Sequence, residues 1–581
     1  MENDPVTLRI IKNALDYISE EMFWTAIRTA KSSILYESYD FAPGLTDNKG
    51  NLISLSMGVP SFITVMPYIS KAVLEDIEEQ GLDLNPGDIF ICNDPYKIGT
   101  HLNDIALSMP IFYDDEIITI ANIRAHVMDI GGMNPGSWGP DAREIFHEGF
   151  RIPTSHFYKE GELNKEMANI IKNNSRTPEY VYGDLEALAA SVRYAYKRVQ
   201  DLCEKYSPQT IREAMNERID DGKKIAHERL RNLPKGKYHS EVNLMKYKHM
   251  EKDITLTADV EITEDKFIAD LTDNPDQVEA PINSSFSGTY AAVATAFVAA
   301  TDPHVDVNQG YLDPIEIKAK DGSILNANPP APVSCYWETM TYVFDIIWKA
   351  LAEELPDKFT AGHFLSVCSE NIGMNDPRDG KYKILGEPNP GGWGAGIDKD
   401  GESCLVAAAD GETYAHPVEI LEREYPLRVE SMKLNQEDGV GHGKFRGGFG
   451  LIKDYRILAD GGSFTCSVNR VKYPPWGIDD GEEGTCNSMS IFRDEKKIWE
   501  GGRKLNFPLK KNDLVRIKSG GGGGWGNPLN RDPKRVLEDY KNRLVSVEKA
   551  KQKYGVVFDD DNKEIDYDET KKLRKEMKVE G

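Results

Sequence analysis

The chain has 581 residues, of which 40% are hydrophobic and 28% charged, with a formal net charge of -25. That is ample apolar material for a core divided among two to four structural units. The acidic balance, with no Lys/Arg-rich face outside a C-terminal tail in which acidic residues interleave, excludes a nucleic-acid footprint. No stretch approaches ~18 consecutive apolar residues and the N-terminus has no basic leader, so neither a membrane span nor a signal peptide is expected, and the cytoplasm is the expected location. The seven cysteines are odd in number, dispersed and never in C-x-x-C spacing, which indicates buried free thiols and neither a disulfide framework nor a thiolate zinc site.

Asp4 before Pro5 starts a helix whose apolar residues Leu8, Ile11, Leu15, Ile18 and Met22 keep helical spacing as far as Ile34. Residues 36–53 read as two short strands around the turn 47–50, and Asp40 within them would by itself be a turn cap. A second helix is expected over 67–80, stopping at Gly81, and the turn 85–88 leads into a strand over 89–92. Three more helical patterns follow at 164–172, 183–206 and 209–233, closing a first unit over 1–235. Residues 236–355 form a mixed α/β unit, with alternating strands at 254–262 and 267–271 and helices at 284–300 and 342–355. From 356 to 540 the chain is Gly/Pro-rich and mostly β, and a helix near Pro533 precedes a C-terminal unit, 541–581, whose tail from Asp559 is charged and expected to be frayed or disordered. The fold class is α+β and multi-unit: a helix-rich N-terminal metal-binding part with mixed sheets, then a turn-rich, mostly-β C-terminal part. No internal repeat is visible.

The chemistry concentrates between Cys92 and Pro153. His101 and Asp104 form one H-x-x-D pair, and His126 and Asp129 form another just before Gly131 and Gly132. Two Ile-rich segments, 104–112 and 117–123, lie between them around the acidic turn 114–116, a hairpin signature. Antiparallel pairing would bring His101, Asp104 and His126 together, and imidazole with carboxylate suits one divalent transition metal, Zn, Mn or Fe. Asp129 and Glu148 are candidate carboxylates behind the ligands or general bases, each with a cap or surface ion pair as its plain alternative. Arg124 is a candidate to hold an anionic group, with an exposed strand arginine as its alternative. The glycine run 520–524 precedes no helix, so a structural loop packed against a partner fits it better than a phosphate cradle. His304, His416 and His442 stand isolated and read as structural.

The segments NDPYKIGTHLNDIAL, RAHVMDIGG, EGFRIP, GKFRGGFG and GGGGGWGNPLNRDP stand in the order of the hydantoinase B/oxoprolinase family, which the chain resembles from Asp4 to about Val557. It also resembles the large subunits of acetone and acetophenone carboxylases. The resemblance implies a subunit of a hetero-oligomer. A hydantoinase A-type partner using ATP with Mg would phosphorylate a small cyclic amide or a ketone, and this chain would complete the reaction at its metal. It places the ligands at His101, Asp104 and His126, with Asp40 as a further acidic ligand. No G-x-x-x-x-G-K-[ST] loop occurs here. Two positions depart from the family's pattern: Val127 stands where many members have a second His, and Phe62 where many have a His. The function expected is ring opening of a hydantoin, oxoproline or lactam after phosphorylation. The alternatives are an ATP-dependent ketone carboxylase subunit and a non-catalytic scaffold.

Overall fold

The computed structural model describes residues 4–247, 250–559, 561 and 563–580. The first sheet has seven strands: β1 (Phe41–Asp47), β2 (Leu52–Leu55), β3 (Ile89–Cys92), β4 (Asp104–Tyr113), β5 (Glu116–His126), β6 (Ser155–Lys159) and β7 (Glu162–Leu163). They lie in the order β2-β1-β5-β4-β3-β6-β7, every neighbour antiparallel. Its central strands are buried along most of their length, because the helices Pro5–Thr29 and Pro178–Tyr206 pack on one another and against this sheet. A strand covered on both faces reads as a continuous apolar run, as β4 and β5 do.

The first helix is capped by Asp4, whose carboxylate accepts from the backbone N–H groups of Val6 and Thr7. It stops at Thr29, short of the expected Ile34, and a separate turn of helix runs over Ser33–Tyr36. The break has a tertiary cause: the N–H groups of Lys31 and Ser32 donate to the buried Asp184 carboxylate at 2.7 and 3.0 Å instead of continuing the helix. Local periodicity carries no information about that partner.

The middle sheet comprises β8 (Gly236–Leu244), β9 (Ile254–Ile262), β10 (Phe267–Asp270) and β11 (Ile315–Lys318), in the order β11-β10-β9-β8. The helices Phe286–Thr301 and Trp337–Leu351 pack together beside it. Two further sheets follow. One runs Tyr382–Glu387, Glu370–Asn375, Gly462–Ser467, Arg503–Leu509 and the other Leu427–Leu434, Leu451–Ile457, Leu514–Lys518, Ser488–Arg493, Lys496–Gly501.

The glycine run 520–524 is not a surface loop. It threads among other glycine-rich segments with backbone hydrogen bonds on several sides: Gly392 N–H donates to the Gly520 carbonyl, Gly441 N–H to Gly522, and Gly522 N–H to Gly448. A Cβ at Gly522 would stand 2.0 Å from the Trp393 carbonyl oxygen, so close backbone approach, not an unusual dihedral, requires glycine here.

The tail also differs from expectation. Val557–Phe558 pairs with Ile565–Asp566, and a helix spans Tyr567–Glu580. It is anchored where Arg574 donates to the Tyr554 and Arg531 carbonyls at 2.9 and 2.7 Å, long-range contacts that outweigh its charged composition.

Candidate metal centre and its cavity

The hairpin places the site. β4 and β5 pair with Asp104 directly opposite His126, and His101 lies three residues before Asp104. β1 pairs along the other edge of β5, where the His126 N–H donates to the Asp40 carbonyl at 3.0 Å. His101, Asp104 and His126 thereby meet at one end of one sheet, and Asp40, outside that close group, lines the same cavity.

The core of the site is a small triangle. His101 Nε2 lies 3.0 Å from Asp104 Oδ1 and 3.0 Å from His126 Nδ1, and His126 Nδ1 lies 3.2 Å from the same Asp104 oxygen. Metal bonds of about 2.1 Å at right angles put neighbouring ligand atoms about 3.0 Å apart, so these three atoms fit one face of an octahedral ion bound by two imidazoles and a carboxylate. His101 Nδ1 faces the Ser334 carbonyl at 3.2 Å. That contact fixes the proton on Nδ1 and leaves the Nε2 lone pair pointing into the triangle. Burial opposes ionisation of Asp104, but His101, His126 and Arg124 outweigh it and hold the carboxyl well below the usual range.

Arg124 is fully buried, not an exposed strand residue. Its guanidinium donates to the Ile98 carbonyl at 2.6 Å and also to the Gly99 carbonyl and Thr100 Oγ1. Thr100 Oγ1 in turn donates to Asp104 Oδ2. Thr100 is β-branched and has φ +64°, a strained backbone held by these contacts immediately before His101. Arg124 therefore shapes the ligand loop, and the Phe62 ring lies 5.2 Å from its guanidinium carbon.

Glu148 is buried behind the triangle. Its two oxygens accept from the Val333 and Ser334 N–H groups at 3.0 and 2.8 Å, so it holds the residue whose carbonyl orients His101. Burial pushes its pKa up to about 8, against the pull of those two donors. Asp129 is also buried, and it accepts from the N–H groups of Gly131, Gly136 and Arg176 and from the Arg176 guanidinium. It ties a turn together and is not among the cavity-lining residues.

A cavity of about 60 Å³ opens beside the triangle, lined by Asp40, His101, Asp104 and His126 and by Phe62 from the first sheet's side. At ~10–15 Å³ per water that is room for roughly four to six waters. Trp138, Tyr336 and Trp337 form an aromatic wall, with the His101 ring centroid 5.3 and 5.4 Å from those of Tyr336 and Trp337. The far wall comes from the C-terminal half: Ser369, Asn371, Glu387, Asp410 and Thr413. Burial first, then neighbouring carboxylates, pushes Asp40 up to about 7, and burial followed by Asp104 does the same to Asp410. Carboxyls crowded and buried in this way are the arrangement that a bound cation would relieve.

Sequence reasoning missed Asp410 and Glu387. His416 is buried and hydrogen-bonded behind the cavity: its Nδ1 lies 2.9 Å from Glu387 Oε2, and its Nε2 3.4 Å from the hydroxyl of the cavity-lining Ser38. No local pattern marks these positions, since their meaning arises only where distant segments converge.

The family model described as "Hydantoinase B/oxoprolinase" matches residues 4–528. A putative D-/L-hydantoinase B-type subunit from Pseudomonas sp. (strain NS671) is 33% identical, with 98% of each chain covered. The crystal structure of the ATP-dependent caprolactamase from Pseudomonas jessenii superposes with a TM-score of 0.91 at 26% identity, covering 99% of this chain and 100% of the other. The nucleotide-free acetone carboxylase structure superposes with a TM-score of 0.92 at 19% identity, covering 100% of this chain and 83% of the other, a likeness of fold.

Proposed function

The chain belongs to the hydantoinase B/oxoprolinase family, and from that premise we propose that it is the metal-containing subunit of an ATP-dependent cyclic amidohydrolase. The observation that carries this reading is the His101–Asp104–His126 triangle lining the cavity. A hydantoinase A-type partner supplies phosphorylation by ATP with Mg, consistent with the subunit naming of the relative and with ATP use in the caprolactamase. His101, Asp104 and His126, with Asp40 beside them, hold one divalent transition metal, Zn, Mn or Fe. Such an ion supplies hydroxide near neutral pH by lowering the pKa of bound water.

The chain's own residues do the rest. Ser334 and Glu148 orient His101, Arg124 and Thr100 orient Asp104, and the aromatic wall presses a small ring against the triangle. Activation puts phosphate on the amide oxygen. Water then adds at the carbon as it gives up a proton, the C–N bond breaks as the amine takes one, and a second water hydrolyses the resulting acyl phosphate. Asp410, in the facing wall and raised by burial to about 7, is the group placed to take and return those protons.

The test is the complex isolated with its ATP-using partner. His101→Ala and His126→Ala should lose the transition metal found in wild type by elemental analysis. Asp104→Asn should abolish product while assembly and ATP-dependent phosphorylation persist. Full activity in a metal-free complex refutes the catalytic role, loss of assembly marks a structural metal, and ATP-dependent consumption of ketone with bicarbonate marks a carboxylase.

A further inference from the structure

A second, smaller cavity of about 20 Å³ adjoins the metal cavity. Met128 lines both, and the walls beside it continue from one space to the other. Ile34 lines the metal cavity and its neighbour Ser33 the second one. Likewise Gly386 lines the first and Ile384 the second, two residues apart on the strand Tyr382–Glu387 and so on one face of their sheet. One side chain therefore stands between the two spaces. Met128 is buried, and its unbranched thioether can change rotamer where a β-branched side chain would be fixed.

The second cavity grades from solvent to interior. Tyr36, Tyr180, Lys383 and Glu424 on its lining are partly exposed, whereas Ser33, Thr177 and Tyr425 are buried. Thr177 stands at the N-cap of the helix Pro178–Tyr206, yet its hydroxyl does not cap that helix. The residue is 4% exposed, and its Oγ1 has no hydrogen-bond partner among the described residues, a state that costs free energy unless a ligand relieves it. The Ser33 and Tyr425 hydroxyls pair at 3.0 Å; one donates to the other, so the acceptor keeps a free hydrogen. A space of about 20 Å³ exceeds the ~10–15 Å³ that one water needs and is too small for a ring or a phosphate. Size and hydroxyl lining together select water.

The reaction needs a water at a moment when the metal cavity is full. The water that opens the ring can enter ahead of the activated substrate. The water that hydrolyses the acyl phosphate cannot, because the acyl phosphate group has at least as many non-hydrogen atoms as the cavity of about 60 Å³ has room for waters. Resting on the amidohydrolase reading, we propose that the second cavity is a water site and that Met128 gates the passage through which it supplies this later water. In that step the water oxygen bonds to the acyl carbon, the bond from this carbon to the phosphate oxygen breaks, and inorganic phosphate leaves. The proton given up goes to Asp410, which is free to take it once the amine has taken the first. Thr177 acts as a positioning residue: it holds the waiting water and does not touch the intermediate.

The test quenches the complex, isolated with its ATP-using partner, during turnover into neutral hydroxylamine, which converts acyl phosphate to hydroxamate. The probe is whichever of hydantoin, 5-oxoproline and 2-pyrrolidinone wild type opens fastest. Thr177→Val keeps the side chain's shape and removes its hydroxyl, so it should raise the ratio of hydroxamate to ring-opened product by roughly 3–10-fold, the worth of one hydrogen bond, at unchanged metal content and KM. Thr177→Ser, which keeps the hydroxyl, should restore the wild-type ratio. Met128→Phe places a stiff ring across the passage and should raise the ratio at least as far, and it decides alone if Thr177→Val does not fold. A wild-type ratio in both variants, or a fall in kcat without accumulated acyl phosphate, overturns the inference and leaves the amidohydrolase reading intact. If wild type opens none of the rings, both are overturned.

Discussion

Glu148→Gln isolates the support behind His101. The wild-type carboxylate accepts two backbone N–H groups, from Val333 at 3.0 Å and Ser334 at 2.8 Å, and the Ser334 carbonyl meets His101 Nδ1 at 3.2 Å. Glutamine keeps one acceptor oxygen and turns an NH₂ group toward the other backbone N–H. One hydrogen bond is lost, worth about 0.5–1.5 kcal/mol, and the backbone N–H left facing a second donor in a buried site costs about 1–3 kcal/mol more. The folded chain should therefore lose about 2–3 kcal/mol, measured by urea unfolding. Loosening Ser334 should also release the His101 ring, weakening metal binding by roughly 10–100-fold, or about 1.4–2.8 kcal/mol, in a chelator-competition titration. If stability falls while metal affinity stays at the wild-type value, Glu148 holds the loop without orienting the ligand, and the path from Glu148 through Ser334 to His101 is refuted.

Two further outcomes follow from buried groups away from the triangle. Asp129→Asn weakens a turn clamp of four donors, so it should lower the unfolding midpoint yet leave kcat of the folded complex within about 3-fold of wild type; a loss of kcat on the order of 10²-fold or more would instead make it a general base. His363 is buried among Trp348 and Trp393, and burial first, with Arg470 adding to it against Asp345, lowers its pKa to about 4. Its folded pKa is depressed, so the unfolded chain takes the proton first near pH 6.5, and stability is lost as pH falls from there toward 4. Between about pH 7.5 and 5 the loss from this residue should be about 2 kcal/mol. His363→Phe should flatten that part of the stability-pH curve, and an unchanged slope would show that the ring is not the source.

The legible part of the site is the part encoded by nearby residues. The Asp104 and His126 register follows from a hairpin with an acidic turn, and His101 sits one short loop ahead of it. Asp40 is visible only through family resemblance, because its approach depends on β1 pairing with β5 across about 80 residues of chain. Arg124 stands out in the sequence, but its partners cannot be read there, since they are carbonyls of a folded loop. Composition misleads for the tail: Lys/Glu-rich residues 567–580 would not hold a helix alone, but Arg574 reaches two carbonyls of an earlier segment. The glycine run is conspicuous in the sequence, yet the packing of other glycine-rich segments around it is a tertiary fact.

The division between the two walls bears on how one fold accommodates different substrates. The candidate metal ligands rest on the first sheet, close in sequence and supported by Arg124, Thr100 and Glu148, whose hydrogen bonds are directed at the ligands themselves or their carriers. The facing wall rests on other segments, Ser369 to Glu387 and Asp410 to His416, and reaches the cavity through hydroxyls oriented by their own local partners. A change at Ser369, Thr413 or His416 can therefore alter which hydrogen-bond sense the cavity offers without removing a ligand or its support. Ser38 is the exception: it stands two positions from Asp40 on the ligand side, yet its orientation comes from His416 across the cavity. That contact and the Tyr414 N–H, which donates to the Ser38 carbonyl at 3.1 Å, tie the ligand side to the facing wall, so a change in the segment from Asp410 to His416 also reaches the loop that carries Asp40.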